Sequence, residues 1–268
     1  MSATQPSLQR RIIQATAKKQ PLSPDELKKH MLATYYNLRW IMVAIAIPLP
    51  FLLIIGGIFL GVPIQGSMSA YYYTHPFLRD LFVGTLCAIG ICLILYKGYS
   101  DQEEWVLNFA GLCSIGVALF PMEKECGNEC QPITIHGLSA VLFFFLVAYV
   151  CIALANDTLS LIDEAKRGRY QVAYKVLGIL MIVFPVGIYG VFAYNVFLYG
   201  QQAAEQIRTT PHYGILAAEA AAICIFGTYW FIKSIEIRTT DAENLALDAK
   251  LEQTGDEVRP AGGAVHDK

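Results

Sequence analysis

The chain alternates long apolar runs with short polar stretches, and this alternation predicts membrane-spanning helices. A helix needs about 20 predominantly apolar residues to cross the hydrocarbon of a bilayer. Six runs of the chain meet or approach that length. The second and third runs are short, but aromatic residues of the kind that anchor helix ends at a membrane interface stand at their ends. The predicted spans are residues 40–62, 81–96, 105–120, 135–155, 174–199 and 213–232.

The composition agrees with an integral membrane protein. Hydrophobic residues make up 55% of the 268 residues and charged residues only 16%, whereas soluble domains carry about 25% charged residues. The N-terminal segment contains no apolar core of the roughly 7 to 15 residues that a cleavable signal peptide needs, so we expect it to be retained. Membrane lipids are the expected partners, and nothing in the sequence indicates a nucleic-acid partner.

The distribution of Lys and Arg predicts the orientation. When the chain is threaded through six crossings, 17 of the 20 Lys and Arg residues fall on one side and 3 on the other. Loops rich in these residues stay in the cytoplasm, so both termini are predicted to be cytoplasmic. The predicted fold is an all-α bundle of six transmembrane helices, in the plasma or inner membrane if the source is bacterial. Its regions are a cytoplasmic N-terminal segment 1–39, a transmembrane domain 40–235 and a cytoplasmic, largely disordered tail 236–268.

A helix start is predicted before the first span. Ser23 is placed to be the N-cap, Pro24 stands at the first helical position, and Glu26 closes a capping box. Within the first span, Pro48 and Pro50 each lack a backbone N–H and are predicted to bend the helix.

Three of the five histidines are predicted to gather on the outer side of the membrane. The outer connectors are residues 63–80, 121–134 and 200–212, and one histidine stands at or near the mouth of each helix that follows them. Three imidazoles can hold Zn²⁺ and leave a fourth position for water. A histidine at such a place can also be a general base or a solvated helix end. These candidate metal ligands are His75, His136 and His212.

Glu219 is the most unusual single residue of the sequence. It lies about 10 Å below the outer end of an otherwise apolar helix at 1.5 Å per residue. An ionisable group at this depth has to face the bundle interior and find a partner. Seven residues separate it from His212, which places both on one helix face. Glu219 is therefore a candidate catalytic or network residue, with a protonated structural carboxyl as the alternative.

The stretch "GSMSAYYYTHPFLRD", residues 66–80, holds further candidates in the outer polar cap. Asp80 is a candidate catalytic acid, or else a first-turn carboxylate beside Arg79 that complements the helix dipole. Ser69 is a candidate nucleophile, or else a turn residue, because a nucleophile needs a base within hydrogen-bond reach. The tyrosine run 71–73 fits an interfacial aromatic belt or a lid over a lipid headgroup.

The seven cysteines fall into two groups. Five lie in apolar spans, where a thiol behaves as a small hydrophobe. Cys126 and Cys130 lie in an outer connector, where an oxidising environment favours a disulfide between them. Metal binding by this pair is the alternative.

Three stretches of the chain resemble a known group of proteins. "SMSAYYYTHPFLRDLFVG", "VALFP" and "HGLSAVLFFFLVAY" resemble six-helix membrane proteins of unknown function that are widespread in bacteria and archaea. Those proteins resemble, more distantly, the eukaryotic damage-regulated autophagy modulator group. The resemblance covers residues 40–235 and implies the same six-helix architecture.

A looser resemblance involves the histidines, Asp80 and a serine. It is to the transmembrane hydrolase superfamily that includes alkaline ceramidases and the progestin and adipoQ receptors, in which three histidines and an aspartate hold zinc. By this resemblance His75, His136, His212 and Asp80 would hold zinc. The chain differs in having six predicted spans instead of seven, and His212 stands alone where that group has a His-x-x-x-His pair.

Two function classes remain open. The expected one is a protein that binds a lipid in its bundle or organises a partner, which could be a second copy of itself. The alternative is a zinc-dependent hydrolase of a lipid amide or ester at the outer leaflet, in which Glu219 or Asp80 orients a ligand or takes the proton from zinc-bound water. Transport is expected least, because the inner halves of the spans offer few polar residues beyond Asn108.

Overall fold

The computed structural model describes residues 23–122, 134–156, 158–159, 164–200 and 213–240. Within these ranges 86% of the residues are helical and no strand is present, which confirms the all-α class. In chain order the helices are α1 (Pro24–Ala46), α2 (Leu49–Phe59), a short 3-10 helix (Ser69–Tyr73), α3 (Pro76–Leu95), α4 (Asp101–Leu119), α5 (Ile135–Tyr149) continued by a π-helix (Val150–Leu154), α6 (Glu164–Tyr199) and α7 (Tyr213–Thr240).

Five of the described segments are long and apolar enough to cross a membrane. α1 and α2 together form one of them, and α3, α5 with its π-helix, α6 and α7 provide the others. α4 is not among them, and its first turn carries three acidic residues, Asp101, Glu103 and Glu104. The five segments are Glu26–Phe59, Pro76–Leu95, Ile135–Leu154, Lys166–Gly187 and Tyr213–Thr239.

The start of α1 confirms the predicted capping box. The Ser23 hydroxyl accepts a hydrogen bond from the Glu26 backbone N–H at 3.2 Å, and the Glu26 carboxylate accepts one from the Ser23 backbone N–H at 2.9 Å. Pro24 occupies the first helical position. The helix is interrupted where the prolines predicted a bend: α1 ends at Ala46 and α2 begins at Leu49, with Pro48 between them.

The long helices pack in a ring around an apolar core. α1 packs against α7 and α3, α3 against α4, α4 against α5, α5 against α6, and α6 against α7. α4 therefore has a helix on each side, although it is less apolar than its neighbours. Fully buried core side chains come from every part of the ring, including Leu53, Ile89, Leu107, Val147, Met181 and Phe226.

Glycines allow α4 to approach its neighbours closely, as small residues do at helix interfaces in lipid. A Cβ atom added to Gly90 of α3 would lie 2.6 Å from the Gly111 carbonyl oxygen of α4, and one added to Gly111 would lie 2.5 Å from the Gly90 oxygen. On the other side of α4, a Cβ atom at Gly116 would lie 2.7 Å from the Ser139 hydroxyl of α5. α4 is thus held between α3 and α5 by contacts that require the absence of a side chain.

Replacing Gly90 by alanine is expected to separate α3 from α4 and to lower the free energy of unfolding by about 1–3 kcal/mol. Gly84 lies on the same helix with no atom within 4 Å of an added Cβ, so Gly84→Ala is the matched control and should be neutral or slightly stabilising. Thermal denaturation of the two variants in detergent measures the difference. Equal melting temperatures would contradict the close packing.

Candidate functional site

Successive connectors lie at alternate ends of the ring. Each end is named after one charged residue that lies there. The Glu219 end comprises the 60–75 connector, residues 120–122 and the starts of α3, α5 and α7. The Lys233 end comprises the 96–100 connector, residues 155–159 and the last turns of α7. Sequence reasoning placed its candidate residues at the Glu219 end.

The Glu219 carboxylate joins α7 to the 60–75 connector. Its Oε2 atom accepts a hydrogen bond from the Met68 backbone N–H at 2.6 Å. The side chain is half-buried, and among the described residues Oε1 has no hydrogen-bond partner. Glu219 is expected to need a partner inside the bundle, and in the described part of the chain that partner is a backbone amide, with the second carboxylate oxygen left unbonded.

Ser69 is the first residue of the 3-10 helix and follows Met68, whose backbone N–H binds Glu219. Its own contacts are those of a turn residue. Its hydroxyl is 3.1 Å from that of Ser67, which also accepts a hydrogen bond from the Ala70 backbone N–H. It also approaches the Met122 sulfur at 3.9 Å. In the described part of the chain no imidazole or carboxylate contacts Ser69, so no activating base is in place.

The three tyrosines of the connector have different surroundings. Tyr71 is fully buried, and a Cβ atom added to Gly57 of α2 would lie 2.9 Å from its ring. The expectation that Tyr71 belongs to an interfacial belt is therefore wrong, because its side chain fills the space beside that glycine. Burial raises the pKa of its phenol. Tyr73 is partly exposed and its hydroxyl donates to the Met122 carbonyl oxygen at 2.6 Å.

His75 and Asp80 are at the surface of the Glu219 end. His75 is the N-cap of α3, and its Nδ1 atom accepts a hydrogen bond from the Phe77 backbone N–H at 3.2 Å. Asp80 is exposed and pairs with Arg79 at 3.0 Å. The expectation that Asp80 lies in the first turn is wrong, because α3 begins at Pro76 and the first turn contains no acidic residue.

His136 is buried between α4 and α5. Its Nδ1 atom lies 3.1 Å from the Val117 carbonyl oxygen and 3.0 Å from the Phe120 carbonyl oxygen. Carbonyl oxygens only accept, so Nδ1 carries the hydrogen and the neutral ring presents an unprotonated Nε2. His136 thus satisfies carbonyls that the end of α4 leaves without helical partners.

The zinc and disulfide predictions remain predictions. Within the described residues no group of three His, Cys, Asp or Glu side chains is arranged to hold a metal ion. His212, Cys126 and Cys130 lie outside the described residues. His75 uses Nδ1 as an N-cap acceptor, so only its other ring nitrogen could reach a metal, whereas the Nε2 atom of His136 has the lone pair that a ligand needs. The five cysteines in the described helices are free thiols.

A second polar group, which sequence reasoning missed, lies at the opposite end. The Lys233 cluster consists of Lys233 and Glu236 from α7, Tyr174 from α6, Thr158 and the Ala155 carbonyl. The Lys233 ammonium donates to Glu236 Oε2 at 2.8 Å, Thr158 Oγ1 at 2.7 Å and the Ala155 carbonyl at 3.0 Å. Glu236 accepts in turn from the Thr158 hydroxyl at 2.8 Å and from the Tyr174 hydroxyl at 2.9 Å.

These side chains are removed from solvent. The exposed fraction is 1% for Lys233 and 0% for Glu236. The ammonium lies 5.3 Å from the centroid of the Tyr174 ring and 5.9 Å from that of Tyr99, within the range of cation–π attraction. A buried charge is tolerated when it is paired and hydrogen-bonded, and the three donors of the ammonium each have an acceptor.

Two further charged side chains are buried at the same end. Arg39 of α1 lies over the Tyr96 ring, with 5.9 Å between its guanidinium carbon and the ring centroid. Glu103 of α4 accepts a hydrogen bond from the Tyr99 backbone N–H at 2.8 Å. With Lys233 and Glu236 they make two buried cations and two buried anions. Arg39, Lys233 and Glu236 lie within segments that are long and apolar enough to cross a membrane, whereas the sequence prediction placed them outside the spans.

The burial of these four charges is not predicted because they stand at the edges of the apolar runs. Arg39 immediately precedes the first predicted span, Glu103 precedes the third, and Lys233 and Glu236 follow the last. From sequence alone such residues are expected in the aqueous flanks, and Arg39 and Lys233 count toward the predicted orientation. The available signal was that apolar residues continue past Lys233 through Ile237, so that α7 extends two turns further than the run of uncharged residues.

Comparisons with protein-family models, with curated proteins and with solved structures give no match for this chain. The resemblances described from the sequence therefore remain predictions.

Replacing Glu236 by leucine is expected to lower the free energy of unfolding by about 3–5 kcal/mol, because it leaves the buried Lys233 ammonium without a carboxylate. The double variant Lys233→Met/Glu236→Leu removes both charges and should regain most of that loss. Denaturant unfolding in detergent of the wild type, both single variants and the double variant measures the coupling. Single-variant losses that simply add in the double variant would contradict a direct ion pair.

Proposed function

We propose that the chain crosses the membrane six times with both termini on the cytoplasmic side. α4 supports the sixth crossing because its 19 residues span about 28 Å at 1.5 Å per residue, close to the roughly 30 Å of hydrocarbon, and because it packs between α3 and α5. The distribution of Lys and Arg supports the orientation, because the cytoplasmic side of a membrane protein is rich in these residues. Arg79 lies at the Glu219 end, whereas Lys97, Lys175 and Lys233 lie at the other end.

We further propose that the protein is a lipid-binding membrane protein whose binding site is the Glu219 end. The observation that supports this best is the Glu219 carboxylate itself. One of its oxygens is fixed by the Met68 backbone N–H. The other has no partner in the part of the chain that the structure describes, at a half-buried position within an apolar bundle. An ionisable residue inside a transmembrane segment is kept only where it has a structural or binding role.

The chemistry of the Glu219 end favours a headgroup that donates hydrogen bonds. Glu219 supplies an acceptor, and the hydroxyls of Ser67 and Ser69 can accept as well. The cation of this end among the described residues, Arg79, is already paired with Asp80. An anionic headgroup would therefore meet a carboxylate, while the ammonium of an ethanolamine lipid would be attracted to it. The acyl chains could then lie along exposed apolar side chains such as Phe59.

Retention of ethanolamine lipid tests this proposal. Protein purified in mild detergent is expected to carry the lipid in a defined ratio, measured by native mass spectrometry and by lipid extraction. Glu219→Gln should lower the retained fraction by about tenfold, because it replaces a charge-assisted hydrogen bond. Glu104→Gln, which neutralises a carboxylate paired with Lys97 at the opposite end, is the control and should retain the lipid.

Two results would contradict lipid binding at this end. One is a lipid content that merely follows the composition of the source membrane; the other is equal retention in the two glutamine variants.

The zinc-dependent hydrolase is the second candidate, favoured by the unprotonated Nε2 of His136. Stoichiometric zinc that is lost in His136→Ala would support that activity instead.

A further inference from the structure

The Lys233 ammonium is surrounded by oxygen atoms of three different kinds. They are a backbone carbonyl at Ala155, a hydroxyl at Thr158 and a carboxylate oxygen at Glu236, at 2.7 to 3.0 Å from Nζ. Carbonyl, hydroxyl and carboxylate oxygens are also the ligands of hard cations in proteins. The Lys233 ammonium thus occupies the position that a bound cation would occupy among these three oxygens.

The local backbone explains why a carbonyl is available at this point. α5 passes into the π-helix Val150–Leu154, and the Ala155 backbone N–H donates to the Val150 carbonyl at 2.8 Å. The helix ends there, so the Ala155 carbonyl is left without a helical N–H partner. π-Helical turns are rare and occur frequently at functional sites. Unwound or irregular backbone in membrane proteins is commonly used to coordinate cations.

We propose that the Lys233 cluster is a monovalent-cation site that the protein fills with its own Lys233 ammonium. Its one carboxylate balances one positive charge, so a divalent ion in place of the ammonium would leave an excess charge in a buried position. Among the described residues, the other two buried charges of this end, Arg39 and Glu103, are of opposite sign and add no net charge. This inference is independent of lipid binding at the Glu219 end.

The hydrogen bonds around Glu236 fit this assignment. Thr158 Oγ1 accepts from Lys233 and donates to Glu236 Oε1, and the Tyr174 hydroxyl donates to Glu236 Oε2. The Thr158 and Tyr174 hydrogens are therefore both used on the carboxylate, so the oxygen of Thr158 can only present lone pairs to the central position. The rings of Tyr99 and Tyr174 also lie near the ammonium, and aromatic faces attract a cation.

Emptying the site provides the test. Lys233→Ala removes the ammonium and its stem, which leaves room for an ion, and Lys233→Met removes the charge but keeps the bulk. Each protein is purified in detergent, and its melting temperature is measured while Na⁺ or K⁺ replaces N-methylglucamine at constant ionic strength. The wild type should show no dependence on the cation. Lys233→Ala should show a saturable rise of about 5 °C or more.

Two controls keep the test decisive. Lys233→Met should be destabilised and should not respond to Na⁺ or K⁺, because the methionine side chain fills the site. Lys233→Ala/Glu236→Gln should also lack the response, because the balancing carboxylate is gone. If Lys233→Ala can be purified only with Na⁺ or K⁺ present, the proposal is supported. A Lys233→Ala protein that melts at one temperature in every salt, or that cannot be purified in any of them, overturns it.

Discussion

A charge inside a lipid-embedded bundle has to find its partners within the protein, and in this structure Lys233 and Glu236 meet that requirement. Their ion pair connects the last turns of α7 with Ala155 at the end of α5, with Thr158 in the connector that follows, and with Tyr174 of α6. Removing either side chain would leave the other charge buried without a counter-charge. The ion pair therefore holds α5, α6 and α7 in one arrangement. The ring closes where α7 packs against α1, and the position of α7 therefore affects both ends of the molecule.

Glu219 and Glu236 differ in how completely their carboxylates are hydrogen-bonded. At the Lys233 end each donor of the ammonium has an acceptor, and each oxygen of the Glu236 carboxylate has a donor. At the Glu219 end one carboxylate oxygen has no partner among the described residues and lies near the buried Ser67 and Ser69; His136 presents an unprotonated nitrogen at the same end. Between them the core is apolar, with Leu53, Phe143 and Phe226 fully or nearly fully buried. We therefore propose lipid binding at the Glu219 end and, at the Lys233 end, a cation site that the protein itself occupies.

Much of the fold could be predicted from the sequence because the signals are local. The capping box at Ser23 and Glu26 and the break at Pro48 depend on neighbouring residues and were found. The apolar runs gave the helical class, but the start of α3 was placed at Leu81 instead of Pro76, because the polar residues of its first turns hid the helix. The buried charges were missed for a related reason: hydropathy assigns a charged residue at the end of an apolar run to water, whereas burial of Lys233 depends on partners 75 to 78 residues away in the chain.

The proposed six-crossing topology requires α4 to cross the membrane between α3 and α5. In a variant without native cysteines, Asp101→Cys and Phe120→Cys each place a single thiol at an exposed position, one at each end of α4. Labelling with a membrane-impermeant maleimide in intact cells is the direct measurement. With six crossings and cytoplasmic termini, Phe120→Cys should react from outside, and Asp101→Cys should react only after the membrane is permeabilised. Equal reactivity of the two positions from one side would contradict a crossing by α4.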